Sequence, residues 1–222
     1  MLTAPLDLQL LNACAALLLL LSFAMLSQRR IVSLVNLLIV QGAVLTCATL
    51  LLAWRTGQSH LYVSAALTLG LKVVFLPWLL HRLIRRLEVY WDTEPLLNVS
   101  GTMLVGILTV VFAFALAQPI TQLAATTMRS GIGIAIAVVL LAFLMMITRR
   151  KAMSQVVGFL SMENGLFFGA MSATYGMPMV VELGIALDVL VAVLVLGVFF
   201  FQIREQFDSL DLHHLESLRE RQ

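Results

Sequence analysis

The sequence predicts an all-α integral membrane protein with seven transmembrane helices. Of its 222 residues, 61% are hydrophobic and only 12% are charged, and the mean hydropathy is +1.00. Soluble domains are typically about 45–50% apolar and about 25% charged, so this composition excludes an ordinary soluble enzyme. The net charge of +2 is too small to indicate a nucleic acid as a partner, and the surrounding lipid is the expected solvent.

Seven apolar runs are long enough to cross a bilayer, whose hydrocarbon core of about 30 Å requires roughly 20 helical residues. They cover residues 6–27, 31–54, 60–81, 97–118, 130–148, 152–174 and 178–203. The first run lacks the basic start and the cleavage site of a signal peptide, so we expect it to remain as a true span. Pro119 directly follows the fourth run and Pro178 lies in the first turn of the seventh, as expected of helix ends.

The distribution of lysine and arginine predicts the orientation of these spans. Basic residues follow spans one, three, five and seven: Arg29, Arg30, Arg82, Arg85, Arg86, Arg149, Arg150, Lys151, Arg204, Arg219 and Arg221. The connections on the other side contain only Arg55 and Arg129. Because basic residues are enriched in cytoplasmic loops, we expect the N-terminus outside, the C-terminus in the cytoplasm, and a multi-pass location in the inner (cytoplasmic) membrane.

The short connections predict three parts and leave no room for a soluble catalytic domain. These parts are a four-helix region over 1–118, a three-helix region over 129–203 and a cytoplasmic amphipathic tail over 204–222. Any chemistry therefore lies within the membrane or on partner subunits. In the loop after span three, Tyr90 and Trp91 stand among charged residues, as expected either of a lipid anchor or of a partner-docking segment.

The tail has apolar residues near helical spacing and more acidic than basic side chains. Its apolar positions are Phe207, Leu210, Leu215 and Leu218. An acidic amphipathic segment is not attracted to anionic lipid, so this pattern favours docking on a cytoplasmic protein. The neighbouring His213 and His214 would point apart on a helix.

No motif indicates a metal site or a catalytic centre. Cys14 and Cys47 each stand alone in an apolar run, without a Cys-x-x-Cys pair or a neighbouring histidine. The sequence contains neither HExxH nor GxSxG. We therefore expect no catalytic residue, no metal and no disulfide in this chain.

Ionisable residues inside the spans carry the functional information. Lys72, Glu163 and Asp188 each lie about ten to twelve residues from the ends of their runs, which places them near mid-membrane, whereas Glu182 lies closer to the outer face. Each costs about 2.5–3.5 kcal/mol on insertion scales, while a central leucine or valine contributes only about 0.3–0.6 kcal/mol. Residues this unfavourable require a structural or functional reason.

Two interpretations of these charges remain open. The first is an interhelical ion pair of Lys72 with either Asp188 or Glu163, and the second is a proton or ion path. One lysine cannot neutralise three carboxylates, so at least one acid must be protonated or hydrated, which favours the path. The polar side chains available to support either arrangement are Asn164, Gln41 and Asn36.

Pro77 adds a backbone signal beside Lys72. In the segment LGLKVVFLPWLL its ring would clash with the carbonyl of Val73 in a regular helix. A carbonyl released at membrane depth is tolerated only where protein or internal water satisfies it. We therefore expect a kink and a polar environment around Lys72.

Four segments, in their order and spacing, carry a family resemblance. The segments LKVVFLPWL, VVGFLSMENG, VELGIALDVLVAVLV and SLDLHHLESL resemble component E of hydrogenase-4, and the likeness covers most of the chain. The last three spans also resemble the three-helix K-type subunit of respiratory complex I, with Glu163 at its first carboxylate and Asp188 at its second. The chain departs from the K-type subunit in two ways. Glu163 lies about one helical turn further from Arg149 and Arg150 than the first carboxylate does in that subunit, and the second acid is Asp instead of Glu.

The resemblance implies a non-catalytic membrane subunit of a complex I-related, membrane-bound [NiFe]-hydrogenase of the hydrogenase-4 or formate hydrogenlyase type. It implies antiporter-like, quinone-subunit-like and hydrophilic hydrogenase subunits as partners, with the nickel–iron and iron–sulfur centres on those partners and no cofactor in this chain. Glu163 and Asp188 would exchange protons or another ion, with Lys72 tuning their proton affinity. The alternatives are a scaffold without its own ion path and a free-standing ion transporter.

Overall fold

The structure is a computed structural model that describes residues 6–87, 98–123 and 129–174, together with five single positions further on. The helices are α1 (Leu6–Ser27), α2 (Ile31–Thr56), α3 (Ser59–Thr68), a π-helical segment (Leu69–Phe75), α4 (Leu76–Leu87), α5 (Val99–Leu123), α6 (Arg129–Thr148) and α7 (Ala152–Thr174). The described part of the chain contains no strand. These elements belong to one compact unit, Met1–Asp188.

A second compact unit comprises Val189–Gln222. Its described residues are Val189, Leu190 and Gly197, which are helical. The predicted tail over 204–222, with its apolar positions and its histidine pair, lies outside the described residues.

Six of the predicted spans are confirmed as helices long and apolar enough to cross a membrane. The runs predicted at 6–27 and 152–174 coincide with α1 and α7. The third span, Ser59–Arg85, is continuous through α3, the π segment and α4. The seventh predicted run, 178–203, lies outside the described residues apart from the five helical positions Gly184, Leu187, Val189, Leu190 and Gly197.

The expectation that α5 ends before Pro119 is wrong. The helix continues through Pro119 to Leu123. Proline removes one backbone N–H donor and pushes against the carbonyl four residues earlier, that of Ala115. Pro119 is exposed near the end of the helix, where a released carbonyl can meet the polar headgroup region, so the helix tolerates it.

Helix α2 lies at the centre of the bundle, in contact with α1, α3, the π segment, α4 and α7. Helix α6 contacts α1, α5 and α7. The α6–α7 contact is close because small residues face it: a Cβ at Gly165 would lie 2.8 Å from Cγ1 of Val138. Helix α5 is peripheral, with 17% of its span buried against 67% for α7, so α2 and α7 are the elements that can hold an internal site.

Charged side chains secure both ends of α1. At the end where α1 leads into α2, the buried guanidinium of Arg149 donates to the carbonyl of Leu26 at 3.1 Å and also to that of Gln28. A cation at a helix C-terminus meets carbonyls that have no partner within the helix. At the opposite end, Arg55 Nε lies 3.1 Å from Oδ2 of Asp7 and links α2 to α1.

The predicted orientation can be measured by cysteine labelling in a chain whose Cys14 and Cys47 are replaced by alanine. Gly57 has a φ of 68°, so the outer reporter is better placed two residues later, as Ser59→Cys. We expect a membrane-impermeant maleimide to label Ser59→Cys in intact cells and Arg85→Cys only after permeabilisation. The reverse pattern would show that the N-terminus is cytoplasmic.

Candidate functional site

Lys72 lies on the π-helical segment, which the sequence explains. Pro77 cannot donate a backbone hydrogen bond, and its ring excludes a regular α-helical turn before it. The chain widens instead, and the N–H of Leu76 donates to the carbonyl of Leu71, five residues earlier. Single π turns inside α-helices are frequent at functional sites. Lys72 is the one buried residue of this segment, with 5% of its surface exposed.

Lys72 forms a buried ion pair with Glu163 of α7. Its Nζ lies 3.0 Å from Oε1 of Glu163, whose residue is 1% exposed. The ring of Phe167, one turn further along α7, lies with its centroid 5.7 Å from the same Nζ. Removing two charges from water is costly, and close opposite charge with further polar contacts is what offsets the cost.

Gly42 of α2 lets the π segment approach closely. A Cβ at this position would lie 3.4 Å from Cβ of Lys72, from the Lys72 carbonyl oxygen and from Cγ2 of Val73. A larger side chain would push the backbone of Lys72 away from α2. The sequence of α2 therefore contributes to the position of the ammonium group.

A chain of hydrogen bonds beside the ion pair joins three helices. Asn164 Nδ2 donates to Oε1 of Gln41 at 3.2 Å, Gln41 Nε2 donates to Oγ of Ser22 at 3.1 Å, and Ser22 Oγ donates to the Leu18 carbonyl at 2.9 Å. Gln41 is 0% exposed and Asn164 is 2% exposed. Because unpaired amides are costly in an apolar interior, these bonds fix how α1, α2 and α7 face one another.

The ion pair and the amides share one level of the bundle. At a rise of 1.5 Å per residue, Gln41 lies about 15 Å from the start of α2 and Glu163 about 17 Å from the start of α7. Both helices start on the same side, so these depths fall near the middle of a hydrocarbon core of about 30 Å. The polar cluster therefore lies near the middle of the membrane and is buried among the helices of the bundle.

Comparisons with known proteins show the family to which the chain belongs. No family model matches the chain, and no solved structure matches it. It is 37% identical over 194 residues to the uncharacterized protein Rv0085 of Mycobacterium tuberculosis, a match that covers 87% of this chain and 88% of the relative. The chain belongs to the Rv0085 family.

A second, more distant similarity links this chain to a hydrogenase component. The chain is 25% identical over 179 residues to "Hydrogenase-4 component E" of Escherichia coli K12, covering 81% of this chain and 83% of that protein. The Shigella flexneri protein of the same name matches equally well. This distant match supports the resemblance to component E that the sequence motifs indicate. The likeness of the last three spans to the complex I K-type subunit stays a prediction.

The structure brings together some of the predicted site residues of this Rv0085-family chain. Of the two partners open to Lys72, it places Glu163 beside the ammonium. The amides of Gln41 and Asn164 adjoin that pair, and Pro77 follows the π segment. Asn36 is exposed on α2, so its expected support of the buried charges is wrong. Asp188 and Glu182 lie outside the described residues, and the roles of all these residues stay predictions.

Two members of the site were not identified from the sequence. Ser22 lies in the run LLLLLSFAM, where a single hydroxyl usually bonds its own helix, as it does here to Leu18. Its second role, accepting from Gln41, depends on the rotation of α1 against α2. Phe167 was missed because in the sequence it is one of many apolar residues. No cluster of three or more histidine, cysteine or acidic side chains suited to a metal occurs among the described residues.

Proposed function

We propose that the chain is a non-redox membrane subunit of a membrane-bound [NiFe]-hydrogenase complex related to complex I. The similarity to "Hydrogenase-4 component E", over 81% of the chain, supports membership in such a complex. The observation that carries the mechanistic part is the Lys72–Glu163 ion pair at mid-membrane depth. Ionisable groups at this depth are rare and usually belong to ion pathways.

In this proposal Glu163 is a proton carrier and Lys72 sets its proton affinity. A carboxylate can alternate between a charged and a neutral form, and a nearby ammonium favours the charged form. A movement of the π segment that separates the two groups would therefore favour proton uptake by Glu163, and its return would favour release.

The remaining elements of the path extend this mechanism. Asp188 would accept the proton from Glu163, with Glu182 nearer the outer face, and Gln41 and Asn164 would hold α2 and α7 in register. Antiporter-like and quinone-subunit-like membrane subunits would continue the path. Hydrophilic hydrogenase subunits would carry the nickel–iron and iron–sulfur centres, so this chain needs no cofactor of its own.

The alternative is a scaffold that joins antiporter-like subunits to the membrane arm. The short distance within the ion pair favours this scaffold. Lys72 and Glu163 neutralise each other at 3.0 Å, as expected of a static link between α7 and the π segment. In that case both charges could be removed together without loss of function.

Membership in the complex is tested by affinity purification from the native membrane. We expect the full chain to bring down membrane and hydrophilic hydrogenase subunits, identified by mass spectrometry. A chain ending at Arg204 should insert normally and keep the membrane subunits, but lose most of the hydrophilic ones, because the proposed docking tail is gone. Purification of the full chain without any hydrogenase subunit would refute membership, and full stoichiometry in the truncated chain would refute the docking role alone.

A further inference from the structure

Four exposed side chains form an aromatic and basic stripe along α4 and the end of the π segment. These residues, which we call the aromatic–arginine stripe, are Phe75, Trp78, Arg82 and Arg85. Their spacing of three, four and three residues places them on one helical face. The ring centroids of Phe75 and Trp78 are 6.5 Å apart, and Cζ of Arg82 lies 5.4 Å from the Trp78 ring.

The stripe combines an apolar part with a basic part. Phe75 is 40% exposed and Trp78 is 55% exposed, and both arginines are exposed. No Asp or Glu occurs in the sequence from residue 59 to residue 87, and neither arginine forms an ion pair with another described residue. The positive charge therefore faces outward from this part of the bundle.

The stripe also has the polarity of a phospholipid across the bilayer, with its arginines near the headgroups and its aromatic rings deeper. The span ends at Arg85, where the headgroups begin, whereas Phe75 lies about 15 Å deeper at 1.5 Å per residue. The guanidinium of Arg82 lies beside the Trp78 ring, with Cζ 5.4 Å from the ring centroid. Arg82 is also exposed, so its N–H groups can reach a phosphate, which arginine binds through two parallel hydrogen bonds.

We propose that the aromatic–arginine stripe is a binding site for an anionic phospholipid. The phosphate of the headgroup binds Arg82 and Arg85, and an acyl chain lies against Trp78 and Phe75. A soluble phosphate would use only the arginines, and an acidic protein segment would leave the deeper aromatic rings uncovered. A phospholipid matches both parts of the stripe, and basic sites at the membrane surface favour anionic lipids. This site is independent of the ion path proposed above.

Fluorescence quenching can test the site because the chain has only three tryptophans. With Trp54→Phe and Trp91→Phe, Trp78 reports alone from the full-length protein in lipid bilayers. We expect brominated phosphatidylglycerol to quench Trp78 several-fold more effectively than brominated phosphatidylcholine at equal mole fraction. Arg82→Gln and Arg85→Gln should each remove most of this preference, because one arginine near the membrane surface contributes about a fivefold change in binding, and the double variant should abolish it.

Arg29→Gln provides the matched control for charge. Arg29 is exposed on the same side of the bundle, in the connection between α1 and α2, and its loss should leave the preference unchanged. Arg85 is exposed and forms no ion pair with another described residue, so Arg85→Gln keeps the test valid if Arg82→Gln disturbs the protein. Equal quenching by both lipids would overturn the proposal. The proposal would also be overturned if Arg29→Gln lowered the preference as much as Arg82→Gln does. Displacement of the lipid by a co-purified acidic protein would overturn it as well.

Discussion

Replacing Lys72 by methionine lowers the free energy of unfolding at pH 8 by about 3–5 kcal/mol, the usual cost of leaving one charge of a buried pair alone. Methionine keeps roughly the length of the apolar stem, but it removes the ammonium that now lies 3.0 Å from Oε1 of Glu163 and 5.7 Å from the centroid of the Phe167 ring. The measurement is denaturant unfolding of the purified protein in detergent.

The double variant Lys72→Met with Glu163→Gln should recover most of this stability. Buried ion pairs are poor stabilisers compared with neutral replacements of similar volume, so removing both charges costs far less than removing one. The coupling energy from the double-mutant cycle measures the pair itself. Arg29→Met, at an exposed position, should change stability by less than about 0.5 kcal/mol. Additive losses in the cycle would show that the two residues are not paired in the folded protein.

The same double variant is also expected to lose proton uptake coupled to hydrogen turnover by at least about tenfold. The single variant Glu163→Gln is a less suitable test, because it removes the carboxylate that lies 3.0 Å from the buried ammonium of Lys72. With both charges removed, neither side chain can accept and release a proton near neutral pH, while the volume and the polar contact to the bundle remain.

The measurement is proton uptake by reconstituted vesicles that contain the assembled complex, recorded alongside hydrogen turnover. Asp188→Asn should give a similar loss if Asp188 is the second carrier, and Glu182→Gln should have a smaller effect. Subunit composition of each preparation serves as the assembly control. An unchanged ratio of protons to turnover in a fully assembled double variant would favour the scaffold and reject the path.

The boundaries of most described spans could be predicted because lipid imposes them locally. A run of about 20 apolar residues and a basic connection are properties of the chain alone, and α1 and α7 start and end where those signals place them. Pro77 likewise predicted a disturbance next to Lys72, which the structure shows as a π segment from Leu69 to Phe75. The close approach of that segment to Gly42 of α2 is a tertiary contact that no local signal contains.

The partners of buried polar groups could not be predicted, because they depend on how each helix is rotated and tilted. The sequence left two carboxylates open as partners of Lys72, and the contact with Glu163 depends on the arrangement of α7 against the π segment. Arg149 illustrates the same limit. Its place in a basic turn predicted orientation, yet its guanidinium is buried against the end of α1, a contact made across 123 residues of sequence.

The separation of Lys72 from Glu163 along the chain has a consequence for biosynthesis. The two residues are 91 positions apart, so Lys72 leaves the ribosome first. At a translation rate of about 5–20 residues per second, the carboxylate follows roughly 5–18 s later. During that interval the ammonium lies in the third span without the carboxylate of Glu163, and an ionised side chain at this depth costs about 2.5–3.5 kcal/mol on insertion scales. We therefore expect the nascent third span to be held less firmly in the bilayer until α7 is made.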